Sequence, residues 1–207
     1  FRKLSMHIRK QSGFRDMFPA ATRLFIPLLL IVFARTFLVT GVGVYLPTLI
    51  TSEGATIWAA SRSLAIYQFA GVIGALAGGT LSDRLGRKVV LFVAALFSPF
   101  LVIGFLNSSG WLQMIYLVLA GLLSLSAQPV LLAVVQDHLP NHRSVANGFF
   151  MAFSFLFQSL TSLLIGVMGD ISGLHQAFLY MSLISLISVP LIFLLPHPTV
   201  LAKQNTA

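Results

Sequence analysis

Two places in this chain put side chains capable of ionic chemistry inside or against long apolar runs: Arg35, and the stretch Gly78 to Leu91, GGTLSDRLGRKVVL. Arg35 offers a guanidinium, always charged and shaped to hold a carboxylate, phosphate or phosphonate through two parallel hydrogen bonds. The second stretch offers one carboxylate, Asp83, among three cations, Arg84, Arg87 and Lys88, punctuated by Gly79 and Gly86. Those cations can bridge to acidic groups or to lipid phosphate. Asp83 is expected to satisfy free amides and the positive end of a helix beginning near Arg87, and Gly86 to permit the sharp turn before it. The stretch is not a phosphate-binding loop of the nucleotide type, because its spacing is wrong and no strand precedes it. No nucleophile with a base and no metal-ligand cluster is visible, so neither catalysis, nor a cofactor, nor a metal is expected.

Weaker polar candidates lie in the same apolar runs. Thr36, Val39, Thr40 and Gly43 share a helical arc with Arg35. Asn147, Met151, Ser154, Gln158 and Ser162 recur at spacings of three and four, which puts them on one helix face. Gln128 precedes Pro129, where a proline frees a carbonyl, and Gln68 sits with Gly71 and Ala75. Any of these can line a pathway or simply bond between helices. Gly71, Gly74, Ala75 and Gly78 read as sites of close helix approach, and Arg62 as a side chain that reaches the membrane interface.

The elements that position these residues follow from composition. Of 207 residues, 57% are hydrophobic and 9% charged, with a mean hydropathy of +0.92; soluble domains carry roughly a quarter charged residues. Six apolar segments fall at approximately 24–50, 59–80, 88–106, 111–135, 145–168 and 175–195. Each is near the ~20 residues that a helix needs to cross a bilayer. Runs such as Val89 to Leu106 are apolar on every face, which excludes barrel strands. The expected fold is an all-α, multi-pass membrane protein with a basic lead at 1–23, a six-helix bundle at 24–195 and a tail at 196–207. Arg35 then stands about eleven residues, ~16 Å of rise, into the first span, close to the midplane. An arginine there costs at least ~3 kcal/mol unless it faces a cavity or a partner.

Charge placement orients the bundle. Arg2, Lys3, Arg9, Lys10, Arg15 and Arg23 precede the first span; Arg84, Arg87 and Lys88, then Arg143, then Lys203 occupy alternate connections, and the intervening loops near 51–56, 107–110 and 169–173 carry no Lys or Arg. By the positive-inside rule both termini are cytoplasmic. The net charge of +8 thus reads as topology and attraction to anionic lipid, with no nucleic-acid partner. The first span is too long and too far from the start for a cleaved signal peptide. Phe1 in place of an initiator methionine suggests a piece of a longer protein, and the absence of cysteine excludes disulfides within it.

The spacing Gly79-x-x-x-Asp83-x-x-Gly86 recurs as Gly166-x-x-x-Asp170-x-x-Gly173, each member displaced by 87 residues. The same shift carries Leu24, at the start of the first span, onto Trp111, at the start of the fourth. Three spans plus three is therefore the expected organisation, with the second copy inverted in the membrane, a pattern common in transporters.

Gly79, Leu81, Asp83, Arg84, Gly86, Arg87, Lys88 and Leu91 resemble the loop motif of the major facilitator superfamily at every defining position. The resemblance implies half of a twelve-helix secondary transporter and a conformation-dependent cytoplasmic latch formed by the motif. The basic lead looks like that family's central loop, which implies the carboxyl-terminal half. Arg35 with Leu46-Pro47, and Pro140, Arg143, Ala146 and Gly148, are similar to the fosmidomycin-resistance-type branch. The chain departs from that branch where Phe149, Phe150, Phe153, Phe155 and Phe157 crowd a helix that is glycine-rich in relatives.

The resemblance implies alternating-access transport of a small anionic or amphipathic solute in the bacterial inner membrane, with proton-coupled efflux favoured. Expected partners are the lipid bilayer, the solute, and the amino-terminal six-helix half or a second copy of this chain. A homodimeric transporter and a non-transporting scaffold remain as alternatives. All five acidic residues and all five histidines fall in loops, tails or span ends, so a coupling carboxylate would come from the other half or from a span end.

Overall fold

The computed structural model describes residues 18–138 and 143–195. The lead through residue 17, Pro140 and the tail from 196 lie outside them. The described residues form helices: α1 (Phe18–Thr40), a π-helical turn (Gly41–Tyr45), α2 (Leu46–Ser52), α3 (Ile57–Leu85), α4 (Arg87–Leu106), α5 (Gly110–His138), α6 (Arg143–Ser172), α7 (Leu174–Leu186) and α8 (Ser188–Phe193). Six stretches are long and apolar enough to cross a membrane, with α1, the π turn and α2 making the first and α7 with α8 the last. The second, fourth and fifth, Ile57–Leu85, Gly110–His138 and Arg143–Ser172, outrun the apolar segments read from the sequence. The extra turns carry Asp83, Arg84, Asp137 and Asp170, which stay helical while reaching water.

Two polar side-chain contacts identify the ends of the bundle. At one end the α3–α4 turn meets the foot of α5 through Arg87 and Asp137, 3.1 Å apart. At the other the end of α2 meets the start of α7 through Glu53 and His175, 3.3 Å apart. Gly86, at the first end, and Gly173, at the second, both have positive φ with nearly the same backbone (φ 95°, ψ 143° and φ 84°, ψ 152°). Their amides bond Ser82 O and Gly169 O, and their carbonyls accept from Val90 N and Ala177 N. Every member of this set is again displaced by 87 residues, so the sequence repeat is a structural one, with its two turns at opposite ends.

α3 packs along α5 at a separation set by glycine. A Cβ on Gly74 would lie 2.0 Å from Leu122 O, one on Gly78 2.6 Å from Ser126 O, and one on Gly121 2.4 Å from Tyr67 O. The core divides into two apolar clusters. One includes Ile31, Leu91, Leu131, Phe150 and Ile192; the other includes Phe37, Val102, Leu117, Phe178 and Met181. Between them lie buried polar residues: Arg35 on α1, Ser98 on α4, Ser124 on α5, Ser185 and Ser188 on α7 and α8. A buried polar layer thus crosses the middle of an apolar bundle.

Candidate functional site

That layer opens into a cavity of about 170 Å³. Its walls are Val32, Arg35, Thr36, Val39 and Thr40 from α1, Ser124, Leu125 and Gln128 from α5, and Ser154 and Gln158 from α6. Arg35 is 7% exposed. Its Nη2 donates to the Ser124 carbonyl at 2.5 Å, and no carboxylate reaches it among the described residues. Pro129 removes the amide that would have taken Leu125 O, which loosens the α5 turn beside that acceptor.

Two of the cavity's four hydroxyls are already committed as donors. Thr36 Oγ1 donates to Val32 O at 2.6 Å and Ser154 Oγ to Phe150 O at 2.7 Å, so each turns oxygen lone pairs, not hydrogens, outward. Thr40 lies at the far wall, where Thr161 Oγ1 approaches its Oγ1 to 3.5 Å. The donors that remain are the Arg35 guanidinium, the amides of Gln128 and Gln158, which bond no other described residue, and the hydroxyls of Thr40 and Ser124. One permanent cation flanked by two amides is a donor set for an anion. Removing such a cation from water without a counter-ion costs several kcal/mol, which packing alone does not require.

Arg35, Thr36, Thr40, Gln128, Ser154 and Gln158 are thus brought together. Gln68 is exposed on α3 and does not line the cavity, and Asn147 lies nearer the start of α6, with a buried Oδ1 that has no hydrogen-bond partner. Sequence reasoning missed Ser124 and Tyr67. Ser124 was accessible in principle, one helical turn before Gln128; Tyr67 was not, since a fully buried tyrosine in an apolar run looks like core.

The second constellation is a junction at one end of the bundle. Arg87 Nη1 lies 2.7 Å from Asp83 and 2.8 Å from Ser82 Oγ, while its Nε donates to Asp137 at 3.1 Å. The expected capping role of Asp83 is corrected here. Gly86 is the N-cap of α4 and no side chain caps it; Asp83 sits inside the last turn of α3, four residues before Arg87, so its carboxylate takes the guanidinium instead. Arg84 is exposed and Lys88 partly so, and Gly79 faces open space. Asp137 was the unrecognised partner, although alternate connections share a membrane side and so bring it to this end.

The profile of the Major Facilitator Superfamily matches residues 28–207. The chain belongs to that superfamily. The fosmidomycin resistance protein of Escherichia coli (strain K12) is 25% identical over 169 residues, which cover 81% of this chain and 41% of that one. The uncharacterized MFS-type transporter YfnC of Bacillus subtilis (strain 168) is 25% identical over 141 residues, 68% of this chain and 34% of that one. The inward-open xylose transporter XylE of E. coli superposes with a TM-score of 0.61 at 17% identity, over 90% of this chain and 50% of that one. This major facilitator chain therefore spans half or less of the length of the relatives it matches. The fold read from the sequence, a six-helix half of the twelve-helix architecture, is the one the structure has.

Proposed function

We propose that this chain forms the carboxyl-terminal half of a secondary active transporter that moves a small anionic or amphipathic solute by alternating access. The observation that carries this reading is Arg35: a guanidinium buried midway along the first span, with no carboxylate partner among the described residues, in the wall of a polar cavity. Arg35 binds the anionic group; Gln128 and Gln158 orient it, and Thr36, Thr40 and Ser154 accept from the solute's own donors. Gln68 and Asn147, outside the cavity, are left to bond to the other half. The other half, or a second copy, closes the cavity, and the two rock about it. Proton coupling then falls to a carboxylate of the other half, because none lies in the described cavity wall. The connections rich in Arg and Lys face the cytoplasm of a bacterial cell, in its inner membrane. The Gly79, Asp83, Arg84, Gly86, Arg87, Lys88 motif latches that side. Efflux is favoured over uptake by the similarity to a resistance protein.

The test uses the full-length transporter in inverted vesicles energised by a proton gradient, with fosmidomycin, a phosphonate suggested by the relative's name, and a panel of small carboxylates and phosphates as probes. Arg35→Gln is expected to abolish transport of the probe that the wild type moves, and Arg35→Lys to weaken it at least tenfold by losing one of two parallel hydrogen bonds, ~1.5–3 kcal/mol. Undiminished transport by correctly inserted Arg35→Gln protein overturns the assignment.

A further inference from the structure

A second, smaller void of about 10 Å³ shares Arg35, Val39 and Ser124 with the cavity and runs from them to α4, α7 and α8, where Ser98, Ser185 and Ser188 line it. These are the polar residues that separate the two apolar clusters, and all three serines are buried. Their hydrogens are spent within their own helices: Ser98 Oγ donates to Ala94 O at 2.6 Å, Ser185 Oγ to Ser182 O at 2.8 Å and Ser188 Oγ to Ser185 O at 2.6 Å. What they present to the void is lone pairs. From the other wall Arg35 presents N–H groups, of which the Ser124 carbonyl takes one. Ser124 Oγ and the fully buried Tyr67 hydroxyl lie against each other beside the guanidinium, yet neither has a partner in full hydrogen-bonding geometry.

The inventory selects the occupant. A halide would face the lone pairs of three serine oxygens, with hydrogens from only Arg35 and Ser124, and a metal ion would face the guanidinium. A water accepts from Arg35 and donates to two serine oxygens, and the void matches the ~10–15 Å³ that one water needs. We infer that the void is a binding site for a single ordered water. Through it Ser98, Ser185 and Ser188 act as positioning residues, holding the guanidinium from behind so that its free edge faces the cavity. The site holds whether or not Arg35 binds a solute, so its test is separate from any transport assay.

The experiment is a density map of the full-length protein at a resolution that shows water, paired with radiolytic hydroxyl-radical labelling in membranes. A water peak within ~3 Å of the Arg35 guanidinium is expected, with Leu38 and Pro99, which line the void, oxidised several-fold faster than Leu117, which is buried and lines neither the void nor the cavity. Ser98→Val fills the void: the peak disappears, labelling at Pro99 falls to the level of Leu117, and the guanidinium shifts in the map. Ser188→Ala, which perturbs packing least, halves that labelling or more. An empty void in the wild type with Pro99 labelled no faster than Leu117 overturns the inference, as does anomalous bromide density at the site after a bromide soak.

Discussion

Arg35 and Arg87 carry the same guanidinium into opposite situations. Arg87 is partly exposed and touches two carboxylates, Asp83 from the helix before it and Asp137 from α5. Exposed pairs of this kind contribute ~0.2–1 kcal/mol each. Asp137→Asn is therefore expected to shift thermal unfolding of the full-length protein only slightly while changing its turnover clearly, since the pair ties the α3–α4 turn to α5. Asp83→Asn should act in the same direction, and the double variant should be less affected than the sum, because both carboxylates share one cation. Additive losses in a transport and thermal-unfolding cycle would count against a common junction. The type of residue at each of these positions was legible in the sequence, as was the helical arc Arg35, Thr36, Val39, Thr40. Asp137 was not, because nothing local ties residue 137 to residue 87.

At the scale of elements, glycine decides how closely helices approach and where they end. α3 touches α5 backbone to backbone at Gly74, so Gly74→Val is expected to cost about 1–3 kcal/mol or more through overpacking, read as a lower unfolding temperature in detergent. Gly79→Ala is the contrasting case. With nothing near a Cβ there, it should change stability by less than ~0.5 kcal/mol, so any loss of transport in that variant reports the latch and not folding. Gly86 has φ 95° with ψ 143°, backbone that side-chain-bearing residues rarely adopt; Gly86→Ala should destabilise by ~1–3 kcal/mol. The π turn Gly41–Tyr45 was invisible in the apolar pattern. It follows Thr40 in the cavity wall and is pinned where the Tyr45 hydroxyl donates to Ser162 O at 2.8 Å, and where a Cβ on Gly41 would overlap Met181 Sδ at 1.8 Å.

For the whole molecule, the two ends of the bundle differ in charge. Arg84, Arg87, Lys88 and Arg143 cluster at the end marked by Asp137, whereas Glu53 and Asp170 mark the other. Because the chain has no cysteine, single substitutions can report sidedness directly. Arg84→Cys and Ser144→Cys should be labelled by a membrane-impermeant maleimide only from the cytoplasmic side, and Ser108→Cys only from the opposite side; the reverse pattern would invert the proposed orientation. Sequence alone determined the six spans, their alternation and the 87-residue repeat, because bilayer crossing is a matter of local hydropathy and the turns are a matter of local glycine geometry. It also placed a charge at mid-membrane and so demanded a cavity or a partner. Only the tertiary structure decided which polar residues meet that charge. Six of the eight candidates converge on one cavity, while Gln68 and Asn147 do not, because the rotation of each helix about its axis is set by packing at the α3–α5 glycines and in the two apolar clusters. Those contacts lie far apart along the chain, and they leave Ser98, Ser124, Ser185 and Ser188 at the level of Arg35.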